Sequence, residues 1–156
     1  MYVLGLSCFY HDAAACELVA SPNFQRLISL NLDYNKVGNP TTAAFRKSSL
    51  KLKVLSMERC YLDDTGMADL VMWPGFAGIE ELTLISNKVT DEGIKLLAAS
   101  ENSRGLKILR LSYNLFGDEG AKALADSKEL SGLIELHVGR NSFGVAGAKA
   151  LTETKT

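Results

Sequence analysis

Apolar residues recur along this chain in a nine-residue pattern that occurs five times. The pattern reads L-x-x-L-x-L-x-x-N, with small variations, and its copies begin at Leu27, Leu52, Ile79, Leu106 and Leu133. The starts lie 25, 27, 27 and 27 residues apart. Self-similarity at a fixed period of this length indicates a solenoid, in which each repeat is one supersecondary unit stacked on its neighbours.

The first half of each repeat predicts a short strand with one buried face. Apolar residues at positions four and six of the pattern alternate with variable residues, and a period of two is typical of such a strand. We expect these pairs to point into the core: Leu30 and Leu32, Leu55 and Met57, Leu82 and Leu84, Leu109 and Leu111, Leu136 and Val138.

The second half of each repeat predicts a helix. An inward apolar column follows the strand at Val37, Leu62, Val89, Phe116 and Phe143. Thr90 is a plausible helix N-cap. Glycines share one repeat offset, where a helix must pass close to its neighbour: Gly66, Gly93, Gly120 and Gly147. Because no unit could bury its apolar face alone, the pattern predicts an α/β solenoid with parallel strands on the concave face and helices on the convex face.

Position nine of the pattern holds a short polar or sulfur-containing side chain. Its residues are Asn35, Cys60, Asn87, Asn114 and Asn141. The turn after each strand has backbone groups that need partners inside a stack, and an amide can bond the turns above and below. We therefore interpret the column as structural. Cys60 is predicted to be a core residue and not a nucleophile.

Two segments depart from the repeat. Residues 36–51 carry Pro40 and Thr41 where a glycine is expected, so their helix should start late or be irregular. Residues 71–78 contain Trp73 and Phe76, whereas the matching loops of later repeats are polar. We favour burial of both aromatic side chains under the convex side. The alternative is an exposed apolar patch that makes a contact.

Length and composition predict a single domain, residues 1–156. Residues 1–26 form a degenerate N-terminal repeat or cap, and the repeats are 27–51, 52–78, 79–105, 106–132 and an incomplete 133–156. The net charge of -1 gives no basic excess for binding nucleic acid or a membrane surface. No apolar run approaches the ~18–20 residues of a membrane helix. Three cysteines without framework spacing favour a reducing, cytoplasmic location.

The repeats resemble a known class. The nine-residue pattern with alanine-rich helical halves (DEGIKLLAAS, DEGAKALADS, VAGAKAL) is similar to the ribonuclease-inhibitor subtype of leucine-rich repeats, over roughly residues 18–151. The resemblance implies a horseshoe with parallel strands inside and helices outside. It also implies protein binding as the default function, without naming a ligand.

The first 16 residues, MYVLGLSCFYHDAAAC, resemble the N-terminus of the carbamoyltransferase family. That resemblance implies an ATP-using transferase with His11, followed by Asp12, in its active site. The match ends by about residue 17, and one His-Asp pair cannot supply a catalytic set. The same stretch also fits the repeat, with Leu4 and Leu6 at positions four and six. These residues are then expected beside Leu30 and Leu32, and His11 is then a turn residue.

The C-terminal end predicts an exposed edge. Leu151 is the last apolar residue, and the strand at Leu133–Val138 would carry apolar groups beside an unpaired edge. Solenoids usually need terminal units with a polar outer face. We therefore expect self-association through this end, or a chain that is a structural segment of a longer repeat protein.

The leading functional interpretation is a non-enzymatic protein-interaction scaffold that uses its concave face. We find no catalytic set, no cofactor motif, and only two histidines, too few for a metal cluster. Tyrosine and arginine, which are over-represented at interface hot spots, alternate at position eight of the repeats. The candidate protein-binding residues are Tyr34, Arg59, Tyr113 and Arg140 at position eight, with Arg110 and His137 at position five. The alternatives are a structural segment of a longer solenoid, a purely solvated face, or a carbamoyltransferase remnant.

Overall fold

The computed structural model describes residues 2–6 and 12–153, and this part of the chain contains six parallel strands in one sheet. The strands follow chain order across the sheet. They are β1 Tyr2–Gly5, β2 Leu27–Asn31, β3 Val54–Ser56, β4 Glu81–Thr83, β5 Ile108–Arg110 and β6 Glu135–His137. A helix follows each strand, so the predicted α/β solenoid is confirmed, with strands on the concave face and helices on the convex face.

The helices stack in the same order as the strands. They are α1 Asp12–Ala20, α2 Asn39–Phe45, α3 Asp64–Met72, α4 Asp91–Ala99, α5 Asp118–Asp126 and α6 Val145–Glu153. Short 3-10 turns at Pro22–Phe24, Pro74–Gly78 and Glu101–Gly105 precede three of the strands. Within the described residues, no helix combines the length and the apolar character needed to cross a membrane.

The strand register reproduces the sequence frame. Position four of each repeat lies opposite position four of the next, from Leu30 through Leu55, Leu82 and Leu109 to Leu136. Leu4 pairs with Leu30 in the same way, as the frame of the N-terminal segment predicts. Since a slip of one residue would turn every apolar side chain to the opposite face, the leucine columns fix this register.

The predicted inward positions pack into the core, and burial is complete in all repeats from β2 to β5. The inward columns from β2 to β5 are buried, and Val37, Leu62, Val89 and Phe116 have 0% exposure. In the last repeat, Leu136, Val138 and Phe143 also pack against the core, but they are only partly buried. The physical reason is that no strand among the described residues pairs with the far side of β6.

The asparagine column is structural, as predicted. Asn87 donates its side-chain N–H to the carbonyl of Met57 at 2.8 Å, and its oxygen accepts the backbone N–H groups of Cys60 and Leu62 at 3.0 Å. Cys60 is fully buried and donates its thiol to the carbonyl of Leu32. Burial raises the pKa of this thiol to about 12. Each side chain therefore joins the turn of one repeat to its neighbour.

The glycine column allows close helix approach, as predicted. The first residue of one helix is an aspartate whose carboxylate accepts two N–H groups from the start of the next helix. Asp91 binds Gly117 and Gly120 at 2.7 Å, and Asp118 binds Gly144 at 2.8 Å and Gly147 at 2.7 Å. A Cβ on Gly120 would lie 2.7 Å from the Asp91 carboxylate, so a larger residue does not fit.

The first departing segment corrects one prediction. The helix after β2 does not start late: α2 begins at Asn39, at the same repeat offset as α3 at Asp64, but it ends after seven residues instead of nine. Thr41 replaces the glycine because its hydroxyl donates to the Asp12 carboxylate at 2.8 Å. Pro40 fits because the first helical positions need no N–H partner.

The second departing segment is buried. Trp73 and Phe76 both have 0% exposure, which confirms the favoured interpretation, and the alternative of an exposed aromatic patch is wrong. The Trp73 indole N–H donates to the carbonyl of Ser48 at 3.1 Å. Its ring lies 4.9 Å from the Phe45 ring, centroid to centroid. These aromatic side chains fill the space beneath the short helix α2.

Candidate protein-binding surface

The residues at position eight hold an uncommon backbone conformation. All five have a positive φ, between 52° and 60°: Tyr34, Arg59, Ser86, Tyr113 and Arg140. Non-glycine residues rarely occupy this region, at a cost of order 1–2 kcal/mol each. In the first four repeats an inter-repeat hydrogen bond maintains it. The N–H of Arg59, for example, donates to the carbonyl of Ile85 and that of Tyr113 to the carbonyl of Gly139, both at 2.9 Å. The stack thus fixes these four positions.

We call the surface formed by positions eight and ten of the five repeats the exit rim. Its residues are Tyr34, Lys36, Arg59, Tyr61, Ser86, Lys88, Tyr113, Leu115, Arg140 and Ser142. Three tyrosines and one leucine on it have at least half of their surface exposed, from 50% for Tyr34 to 56% for Tyr61. The exit rim therefore presents large side chains in solvent at the ends of the strands.

Three of the cations on the exit rim stack on tyrosines of the preceding repeat. The guanidinium of Arg59 lies 5.5 Å from the ring centroid of Tyr34, and that of Arg140 lies 5.3 Å from that of Tyr113. The ammonium group of Lys88 lies 5.5 Å from the ring centroid of Tyr61. Such contacts orient a cation without neutralising it, and each contributes about 0.5–1 kcal/mol at an exposed site.

An open pocket of about 460 Å³ lies at the middle of the exit rim. Its lining consists of Arg59, Tyr61, Ser86, Asn87, Lys88 and Tyr113. We call it the Ser86 pocket, because the small side chain of Ser86 stands where neighbouring repeats carry tyrosine or arginine. The lining contains two cations, two tyrosine rings and no carboxylate, so its chemistry suits an anionic group.

Two of the predicted site residues lie apart from the rim, on the strands. Arg110 on β5 forms ion pairs with Glu81 on β4 and with Glu135 on β6, the latter at 2.9 Å. The hydrogen bond to Glu81 raises the pKa of Arg110 above its ordinary value. The Nε2 atom of His137 lies 2.7 Å from the same Glu135 carboxylate. These four residues form a cross-strand cluster on the concave face.

Polar contacts also connect the first two repeats on the concave face. The Asp33 carboxylate accepts the hydroxyl of Ser56 and the N–H of Glu58, both at 2.7 Å. The Tyr34 hydroxyl donates to Glu58 at 2.9 Å, and this hydrogen bond raises the pKa of Tyr34. The acidic groups at this end of the face therefore have partners within the chain.

The structure divides the six predicted site residues into two groups. Tyr34, Arg59, Tyr113 and Arg140 lie on the exit rim, whereas Arg110 and His137 belong to the cross-strand cluster. Sequence reasoning included Ser86 in the position-eight column without naming it as a candidate, and it missed Tyr61 and Lys88 as members of the same surface. The signal was present, because Tyr61 and Lys88 share position ten of consecutive repeats at the 27-residue spacing.

Residues 7–11 of the carbamoyltransferase-like segment lie outside the described residues. His11 lies there, so its predicted place in an active site or a turn is not described. Asp12 begins α1, and its carboxylate accepts the N–H of Gly38 at 3.1 Å and the hydroxyl of Thr41 at 2.8 Å. Among the residues that the structure describes, no group of three or more His, Cys, Asp or Glu could hold a metal ion.

Comparisons with known proteins agree with the repeat pattern. The family model described as Leucine Rich repeat matches residues 79–98 and 102–125. The human protein named NACHT, LRR and PYD domains-containing protein 13 is 32% identical over 87 residues, which cover 53% of this chain. The chain spans only 8% of the length of that relative. The family match thus places leucine-rich repeats at residues 79–98 and 102–125, within the repeated part of the solenoid.

A solved structure was also found in the comparison. It is an internalin, InlF, from Listeria monocytogenes, with 14% sequence identity and a TM-score of 0.32. The match covers 85% of this chain and 54% of the internalin chain.

Proposed function

We propose that this chain is a protein-interaction module, a leucine-rich repeat scaffold of the ribonuclease-inhibitor subtype that binds a partner with its concave face and exit rim. One observation carries the proposal: the repeat stack holds Tyr34, Arg59 and Tyr113 outward in left-handed turns, and Arg140, in the same conformation, lies over the Tyr113 ring. Leucine-rich repeat relatives support it at the level of the scaffold. No catalytic role is proposed.

Preorganisation is the physical reason to place binding there. Ordering a flexible arginine costs free energy when a partner binds, and a side chain already ordered avoids part of that cost. Arg59 and Arg140 are ordered by their tyrosines before any partner arrives. Tyrosine and arginine also dominate interface hot spots. The exit rim therefore offers strong contacts at a small entropic cost.

Arg110 and His137 are given a secondary role. Both terminal guanidinium nitrogens of Arg110 contact carboxylates, so a partner would have to displace Glu81 or Glu135 to reach them. We propose that this cross-strand cluster forms the polar floor beneath a partner bound at the rim. Its replacement should weaken binding less than replacement of the rim arginines.

The test is affinity capture of a partner, followed by a titration with the purified partner. Arg59→Glu/Arg140→Glu should weaken binding at least tenfold, because each change removes a cation and unstacks a tyrosine. Lys122→Glu/Lys128→Glu is the matched control, since both lysines are exposed and lie away from the rim. Equal binding by both variants, with unchanged circular dichroism, would reject the proposal.

Self-association through β6 is a second candidate, carried by two exposed apolar side chains. Ile134 is 83% exposed and Val145 is 87% exposed. At the matching positions, the three preceding repeats carry charged residues: Lys53, Glu80 and Lys107, and Asp64, Asp91 and Asp118. A groove of about 500 Å³ beside β6 continues this apolar surface along Leu124, Leu130 and Leu136. The occupant we propose is a second copy of the chain.

Sedimentation velocity tests the second candidate. The wild-type chain should show a concentration-dependent dimer, and Ile134→Lys/Val145→Asp should remain monomeric because it restores the charges of the earlier repeats. A wild type that is monomeric at every concentration would reject self-association.

We also propose a reducing compartment such as the cytoplasm. Cys60 supports this proposal, because its reduced thiol donates a hydrogen bond that joins two repeats.

A further inference from the structure

The exit rim concentrates positive charge in a chain that is nearly neutral. The whole sequence has 17 lysines and arginines and 18 aspartates and glutamates. Of the ten rim residues, however, four are basic and none is acidic. The basic residues are Lys36, Arg59, Lys88 and Arg140. This separation of charge is what a surface for an anionic partner requires.

These four cations have no carboxylate partner among the described residues. Several cations elsewhere in the molecule are paired with carboxylates. At the opposite ends of the strands, Lys53 and Lys107 share the carboxylate of Glu80, at 2.7 Å and 2.6 Å. What distinguishes the exit rim is that four unpaired cations lie together on one surface whose ten residues include no carboxylate.

The residues at position seven, next to the rim, locate the centre of this charge. In the first two repeats they are Asp33 and Glu58, which partly offset the nearby cations. In the next three they are Ile85, Ser112 and Gly139, which carry no charge. The positive field is therefore strongest from the Ser86 pocket toward Arg140.

The Ser86 pocket has the groups to receive one carboxylate. Arg59 and Lys88 line it, each already stacked on a tyrosine, and Tyr61 and Tyr113 supply its apolar walls. The Ser86 hydroxyl makes no hydrogen bond to another described side chain or backbone group, so it is available as a donor. The pocket is open, which suits a side chain that projects from a longer segment.

The spacing of the cations matches an extended peptide. Neighbouring strands lie about 4.8 Å apart, which puts Arg59, Lys88 and Arg140 at roughly 0, 5 and 14 Å along the stack. Alternate residues of an extended chain lie about 7 Å apart, at roughly 0, 7 and 14 Å. Acidic residues at alternate positions of one segment could therefore meet all three cations.

We propose that the exit rim binds an extended acidic segment of a protein, with one aspartate or glutamate side chain in the Ser86 pocket. This inference rests on the proposed function and names the chemistry of the partner. The segment runs across the repeats, and its alternate acidic residues contact Arg59, Lys88 and Arg140. Tyr61 and Tyr113 pack against the aliphatic part of the side chain that enters the pocket.

The test is a titration with a labelled six-residue peptide that has glutamate at positions one, three and five and serine elsewhere. The same peptide with glutamine in place of glutamate is its control. Binding of the glutamate peptide should weaken as salt is raised from about 50 to about 500 mM, because exposed charge pairs are screened. Arg59→Gln or Lys88→Gln should each weaken binding roughly two- to fivefold, and Lys122→Gln should leave it unchanged.

Ser86→Asp and Ser86→Asn form a sharper pair. Both side chains tolerate the left-handed backbone at this position, so both variants should fold. The aspartate places a carboxylate in the pocket and should weaken binding of the glutamate peptide at least tenfold. The asparagine has the same shape without charge and should bind within about twofold of the wild type.

Three results would overturn the inference. They are equal binding of the glutamate and glutamine peptides, equal effects of the two Ser86 variants, and tighter binding of a single-stranded oligouridylate that is equally sensitive to Ser86→Asp. These outcomes are distinct from those for the proposed function. A partner that is lost from the Arg59/Arg140 variant while the acidic peptide fails to bind would leave the function intact and overturn only this inference.

Discussion

Replacement of Asp91 by alanine tests how one repeat starts the helix of the next. The residue before α5 is Gly117, which has no side chain to cap the helix. The Asp91 carboxylate, from the preceding repeat, accepts the N–H groups of Gly117 and Gly120 at 2.7 Å. Asp91 therefore acts as the N-cap of a helix that begins 27 residues later in the chain.

The size of the effect follows from which N–H groups water can reach. Gly117 is partly exposed, so water replaces one of the lost bonds, whereas Gly120 is buried and its N–H would lose its partner. Loss of a buried hydrogen bond to a charged group, such as that from the Gly120 N–H, costs roughly 1.5–3 kcal/mol of folding free energy. With the residual loss at Gly117, we expect Asp91→Ala to lower the free energy of unfolding by about 2–3 kcal/mol.

Urea unfolding followed by circular dichroism and by the fluorescence of the buried Trp73 measures this value. Glu92→Ala is the control, since its side chain is exposed and forms only an ion pair with Lys95. The control should change the free energy of unfolding by less than about 0.5 kcal/mol. If Asp91→Ala and Glu92→Ala have the same small effect, the capping between repeats is not a significant source of stability.

Three further predictions concern packing, pH and thiol reactivity. Gly120→Ala should lower the free energy of unfolding by about 1–3 kcal/mol, whereas Gly132→Ala, whose Cβ would meet nothing nearer than 3.7 Å, should be tolerated in the same urea assay. The hydrogen bonds from Lys107 and Lys53 lower the pKa of Glu80 to about 2, so its contribution to stability is present above pH ~4.5 and is lost as the pH falls toward 2. The free energies of unfolding of the wild type and of Glu80→Gln should therefore differ above pH ~4.5 and become equal as the pH falls toward 2. A difference that does not change with pH would contradict the assignment. Cys60, with a pKa raised to about 12 by burial, should resist iodoacetamide at pH 8 in the folded protein and react in urea, as peptide mass spectrometry would record.

The fold was predictable because one physical constraint repeats along the chain. Leu30, Leu55, Leu82 and Leu109 must reach the same core, and this requirement sets the strand register without reference to long-range contacts. The start of α2 was not predictable from the glycine pattern, because Thr41 fulfils the role of the missing glycine through a hydrogen bond to Asp12. A substitution of this kind depends on the neighbouring repeat.

The candidate site was only partly predictable. The alternation of tyrosine and arginine at position eight is visible in the sequence, but the stacking of each cation on a tyrosine needs the left-handed turn and the offset between repeats. The cross-strand cluster depends on three neighbouring strands that place Arg110 between Glu81 and Glu135. Ser86 has no feature of its own in the sequence, and its importance comes from the larger side chains around it.

The most direct test of the central claim is a map of the bound surface by backbone amide NMR, with the alternating glutamate peptide as the ligand. The account predicts that shifts on titration concentrate at Arg59, Ser86, Lys88 and Tyr113 and extend to Arg140. The amide signals of helix residues on the convex face, such as Lys122, should not shift. Shifts confined to the convex face or to β6, or a spectrum that does not change at saturating peptide, would contradict the exit rim as the binding surface.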